Sequence, residues 1–240
     1  MKKYYFSFLV LMLIMLIQSC GSNEEKKTMD KQKEREKVIK DSIELVKTIQ
    51  RQREQAVKDS IIEIEQNVAL GDILFDISEK EFNKRKGVFL KKCRLPEYEF
   101  YKGLTIITYK LGEYGFGDMY GWFYRDSLYN IRLRGPIVDY DEYDRIMPDQ
   151  FEALMNLLKA KYSEPSSYLG LPKWNELEKG YFRRCAIWNI GSKTIEVRIS
   201  CEGVKYYLNL EVYKPETEIR IQKEKDRKEN EATKNAVDLM

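Results

Sequence analysis

From Glu24 to Gln66 the chain has neither proline nor glycine, and it mixes 11 basic with 11 acidic residues. Without a helix breaker, and with too many charges to form a core, this stretch reads as a solvent-exposed helix. Apolar residues recur at Ile39, Ile43, Val46, Val57, Ile61 and Ile64, largely at spacings of three and four. Lys40-Asp41-Ser42-Ile43 returns as Lys58-Asp59-Ser60-Ile61, and the offset of about five helical turns puts both copies on one side. Such a helix would reach roughly 60 Å. Gln50 and Arg53 interrupt the apolar stripe where a coiled-coil seam needs it. The reading therefore favours a charged spacer over a coiled coil.

Met1-Lys2-Lys3 precedes the apolar run Tyr4–Ile17. At about 1.5 Å per residue that run makes roughly 21 Å of helix, short of the ~30 Å a spanning helix must cross. A basic start, a short apolar core and a small residue at its end describe a secretory signal peptide over residues 1–19. Ile17-Gln18-Ser19-Cys20 resembles the lipobox of bacterial lipoproteins, with Gln18 where a small residue is commoner. The resemblance implies acylation of Cys20 and a membrane partnership through that lipid; several acyl chains anchor firmly where one is marginal. No aspartate follows Cys20, and Glu24-Glu25 looks like the acidic export tags of some surface lipoproteins. The implied address is the outer membrane of a cell envelope, on its periplasmic side or exposed at the surface.

Charge and composition narrow the chemistry. Lys and Arg exceed Asp and Glu by 42 − 39 = 3. Removing Lys2 and Lys3 leaves an excess of 40 − 39 = 1, too little to attract nucleic acid. The chain has no histidine, so histidine bases, histidine metal sites and nucleophile–histidine pairs are excluded. Besides Cys20 there are Cys93, Cys185 and Cys201, with no Cys-x-x-Cys. Gly-x-Ser-x-Gly, Ser-x-x-Lys and Walker sequences are missing too. No cofactor and no metal is implied, and an enzyme is not expected.

The mature chain divides into a tether (20–66), a globular part (67–213) and a charged C-terminal helix or tail (214–240). Ser78-x-x-Glu81 is a capping box that opens a short helix through about Lys86. Strands are expected at Leu104–Tyr109, Met119–Tyr124 and Tyr129–Arg134. Pro148 sets up a helix over Asp149–Tyr162, with Phe151, Leu154, Met155 and Leu158 on one face. Three more strands follow at Phe182–Ile190, Lys193–Cys201 and Val204–Tyr213, the first two joined by a Gly191-Ser192 turn. That turn puts Cys185 and Cys201 on opposite faces. The order gives an α+β fold: antiparallel sheet with helices on one face, arranged as two αβββ units, preceded by the long charged helix. Pro215, with Glu216 and Glu218, starts a last helix.

The run Leu157–Pro165, followed by Trp174 and the final strands, is similar to small exported α/β modules such as BamE-like outer-membrane assembly lipoproteins and β-lactamase inhibitor proteins. The resemblance implies a head that binds another protein and catalyses nothing. Two segments are candidates for contact. Tyr120, Trp122 and Tyr124 share one strand face, suited to anchoring a protein or stacking on a sugar ring. Asp139, Asp141 and Asp144 sit in a run of four carboxylates, which reads as a solvated acidic loop; calcium is the alternative, with the EF-hand glycine and terminal glutamate missing. The expected function is a lipid-anchored envelope protein binding a macromolecule, foremost a protein. The alternatives are a surface glycan-binding lipoprotein and, behind it, a two-carboxylate hydrolase.

Overall fold

The computed structural model of the protein describes residues 2–102 and 105–238, with side-chain surroundings for 32–96, 102 and 106–236. The chain separates into two compact units, Met1–Ser60 and Ile61–Met240. In order, its elements are α1 (Lys2–Glu65), β1 (Val68–Leu70), β2 (Ile73–Leu74), α2 (Glu79–Cys93), β3 (Arg94–Tyr101), β4 (Thr105–Leu111), β5 (Tyr114–Phe116), β6 (Asp118–Tyr124), β7 (Ser127–Arg134), β8 (Val138–Asp139), α3 (Tyr143–Tyr162), β9 (Ser167–Tyr168), β10 (Phe182–Ile190), β11 (Lys193–Glu202), β12 (Lys205–Tyr213) and α4 (Pro215–Asp238).

The first unit is the charged helix. Side-chain pairs one turn apart support it, such as Gln50 to Glu54 at 3.0 Å and Gln55 to Asp59 at 2.7 Å. From residue 32 on its apolar side chains stay in solvent: Ile39 is 59% and Val46 63% exposed. Among the described residues no helix is long and apolar enough to cross a membrane. Cys20 lies outside the residues whose side chains are described.

The second unit is an α+β head built on antiparallel sheets. Its main sheet has seven strands in the order β6-β7-β12-β11-β10-β9, with β8 also paired to β12. β3, β4 and β5 form a separate three-stranded sheet, and β1 with β2 a small hairpin. The second half follows the expected pattern, α3 leading into the β10–β11–β12 meander. The first half carries more strands than expected, and they divide: three make their own sheet, while β6 and β7 join the main sheet beside β12. Both halves thus share one sheet.

Tight turns explain the extra strands. Leu111 pairs with Tyr114 across a two-residue turn in which Gly112 has φ +61°. Tyr124 pairs with Ser127 across Arg125 and Asp126, both left-handed at φ +53° and +59°. That hairpin lacks the glycine or asparagine such a turn usually carries. Partners hold its two side chains instead: Asp126 accepts from the Glu79 amide at 3.1 Å, and Arg125 pairs with Glu224 at 2.6 Å.

α2 is capped as the sequence predicts, Ser78 Oγ accepting the Glu81 N–H at 3.3 Å. It runs on to Cys93 because Phe82 and Phe89, seven residues apart, bury on one side and Gly87 is tolerated between them. α3 starts at Tyr143, upstream of the expected Asp149, with Pro148 inside it. Tyr143, Ile146 and Met147 are buried and continue the core stripe through the proline, outweighing one lost backbone bond on the exposed side.

α2 and α3 pack on one face of the main sheet. Ile131, Leu133, Leu210, Val197, Trp188 and their neighbours meet Phe82, Ile146, Leu154 and Leu158 there in one core. The expected opposition of Cys185 and Cys201 is corrected. β10 bulges between Arg184 and Ala186, which shifts Cys185 out of alternation, and both thiols lie buried in this core as free cysteines. Burial pushes the Cys185 thiol up to about 12.

The last turn of α1 belongs to the head. Gln66 Oε1 accepts the Ser192 N–H of the β10–β11 turn at 3.1 Å. Lys193, the next residue, is fully buried; its ammonium donates to Val68 O at 2.9 Å and pairs with Glu65 at 3.3 Å. Lys193, on the same side of β11 as Ile195, is therefore an internal charge, matched by a carboxylate from the end of the helix.

Candidate binding face of the main sheet

Strand alternation that sends Ile131, Ile195 and Leu210 into the core sends their neighbours to the opposite face. Register then assembles three rows. Tyr120, Arg132, Glu211 and Glu196 lie side by side across β6, β7, β12 and β11. Arg134, Asn209, Arg198 and Arg184 form the next row, from β7 to β10. Trp122, Asn130, Tyr213 and Thr194 form the third.

Two carboxylates directly opposite one another would repel. Arginines from both sides resolve this for Glu211 and Glu196. Arg132 and Arg198 both close on Glu211. Arg184 Nε meets Glu196 Oε1 at 2.9 Å, and Tyr213 OH donates to the same oxygen at 2.7 Å. Both carboxylates are only 1% exposed. Burial lowers the Arg132 and Arg198 guanidinium pKa values, that of Arg198 to about 10 with Arg132 reinforcing the shift, so both stay charged at neutral pH. Arg132, Arg184 and Arg198 outnumber Glu196 and Glu211 by one.

Aromatic rings cover these charges. Arg132 stacks on Trp122 at 4.8 Å, Arg134 on Tyr207 at 3.6 Å and Arg198 on Phe182 at 4.5 Å. Tyr120 leans on Trp122 with centroids 6.3 Å apart. The rings are held in place yet partly open to solvent, Tyr120 being 37% and Phe182 52% exposed. Among the described residues three buried atoms on this face have no hydrogen-bond partner: Asn130 Oδ1, Glu196 Oε2 and Arg198 Nε.

α4 lies against the same face. Asn130 donates to Glu218 Oε1 at 3.4 Å, and Glu224 Oε1 accepts from Tyr124 OH at 2.5 Å and from Arg125 at 2.6 Å. Burial raises the Glu218 pKa against the pull of Arg198.

The structure brings Tyr120 and Trp122 together, while Tyr124, past a register shift between Trp122 and Phe123, is tied to α4. It does not bring them together with the acidic run. Asp139 ends β8 opposite Lys205, Asp141 sits in a 3-10 turn (Tyr140–Glu142) and Asp144 in the first turn of α3. All three are exposed. Among the described residues no group of three or more Asp, Glu or Cys side chains is placed to hold a metal ion. Glu196 and Glu211 face one another across β11 and β12, both locked under arginines at the sheet surface. One shallow hollow of about 220 Å³, lined by Leu177, Tyr181, Phe182 and Arg183 among others, is smaller than a usual small-molecule site.

Arg132, Arg134, Arg198, Glu196 and Glu211 were not among the candidates read from the sequence. The available signal was opposite charge at mid-strand positions of several strands. No protein-family model, curated protein or solved structure matches this chain.

Proposed function

We propose that the chain is a lipid-anchored protein of the cell envelope, held at an outer membrane through Cys20, whose head binds another protein and carries out no catalysis. The arginine–aromatic face of the main sheet carries this reading. Trp, Tyr and Arg dominate protein-binding hot spots, because they offer large contact area and pay little entropy when already held rigid. Here buried Glu211 fixes the Arg132 and Arg198 guanidinium groups, and these fix the Trp122 and Phe182 rings.

A photo-crosslinking residue placed at Tyr120 or Trp122 in intact cells tests the proposal, with Lys80 on α2 as control. The expected result is one discrete protein adduct from positions 120 and 122 and none from 80. Equal labelling from all three, or a glycan adduct in place of a protein, would overturn it.

A further inference from the structure

We infer that α4 is a displaceable cover over the arginine–aromatic face and stands in for an acidic helical segment of the partner protein. This inference rests on the proposed binding face and adds the chemistry of what binds there.

Three observations carry it. First, α4 is docked through polar groups. Its hydrogen bonds to the head, among the described residues, join Glu218 to Asn130, and Glu224 to Tyr124 and Arg125. A helix permanently packed on a sheet buries an apolar stripe. In α4, Ile221 is half-buried, Ile219 is 54% exposed, and every residue from 225 to 236 is exposed. Second, the charge beneath is incomplete. Arg132, Arg184 and Arg198 face Glu196 and Glu211, an excess of one positive charge, and Glu218 of α4 reaches over this face to Asn130. The excess favours a carboxylate-bearing helix. Third, α4 leaves the fit unfinished. Among the described residues Arg198 Nε, Asn130 Oδ1 and Glu196 Oε2 lack a hydrogen bond on this face, and Tyr120 keeps 37% exposure. A partner helix with carboxylates spaced like Glu218 and Glu224, and with an apolar residue aimed at Trp122, would make the same contacts and add others.

The test uses the full chain and a labelled peptide of residues 215–238, read by fluorescence anisotropy. In the wild type the tethered α4 competes at a high effective concentration. In the E218Q/E224Q variant that competition is weakened. The expected result is at least tenfold tighter peptide binding to the variant than to the wild type, lost when Glu218 and Glu224 are also replaced by Gln in the peptide. Equal binding to both chains would overturn the cover. Binding to neither, or retained binding of the neutralised peptide, would overturn the acidic occupant. Hydrogen exchange of the wild type gives an independent readout: amides of 218–224 should exchange at least tenfold faster than those of β12, and equal protection would count against displacement. If the peptide fails while positions 120 and 122 still crosslink a protein, the inference falls and the binding face stands. If both fail, both fall.

Discussion

Replacing Glu211 by alanine is expected to destabilise the head by about 3–5 kcal/mol, the cost of leaving buried charge uncompensated. Glu211 is 1% exposed and faces two guanidinium groups, Arg132 and Arg198. Without it Glu196 must serve Arg184 and Arg198 together, and Arg132 loses its buried counter-charge while stacked on Trp122. A folded domain is stable by only about 5–15 kcal/mol, so this one change removes a large part of the margin. Urea denaturation followed by near-ultraviolet circular dichroism reads the loss as a lower midpoint. Glu211→Gln keeps hydrogen-bond acceptance but not the charge, and should fall between the two. A loss below about 1 kcal/mol for the alanine variant would show that the network is solvated rather than internal.

Gly135→Ala is expected to cost about 3 kcal/mol, at the upper end of overpacking effects. Gly135 follows β7 where the chain crosses β12. A Cβ there would lie 2.4 Å from Leu208 O and 3.3 Å from Tyr114 OH. The carbonyl cannot retreat, because it accepts both the Gly135 N–H at 2.8 Å and the Tyr114 hydroxyl at 2.9 Å. Either β7 moves away from β12 or two buried hydrogen bonds are lost. β7 and β12 bear Arg132, Arg134, Tyr207 and Glu211, so the binding face loosens with the fold. Thermal unfolding should drop by roughly 6–12 °C for a domain of this size. A change within about 2 °C would mean that the strands adjust freely there.

Local signals in the sequence reported local structure well. Ser78 with Glu81 marks the start of α2, Gly191-Ser192 the β10–β11 turn, and Ile195, Val197 and Ile199 the inner face of β11. Tyr120 and Trp122 share a face by the alternation of β6, before its pairing with β7 shifts between Trp122 and Phe123. Features that depend on partners distant along the chain were not legible. Arg125-Asp126 turns without glycine because Glu79 and Glu224 hold it. Lys193 is buried because Glu65 reaches it. The bulge at Cys185 reverses the expected direction of a thiol. The charge network joins β7, β12, β11 and β10, and only the strand order brings Arg132, Glu211, Arg198 and Arg184 together. Each residue alone looks like an ordinary solvated strand position.

The proposed envelope address rests on anchorage through Cys20. Mass spectrometry of the N-terminal peptide from protein extracted out of native membranes tests it. The expected result is a mature chain that begins at Cys20 and carries acyl chains on its sulfur and amine. A chain with the leader still attached, or one beginning at residue 20 with an unmodified thiol, would contradict it.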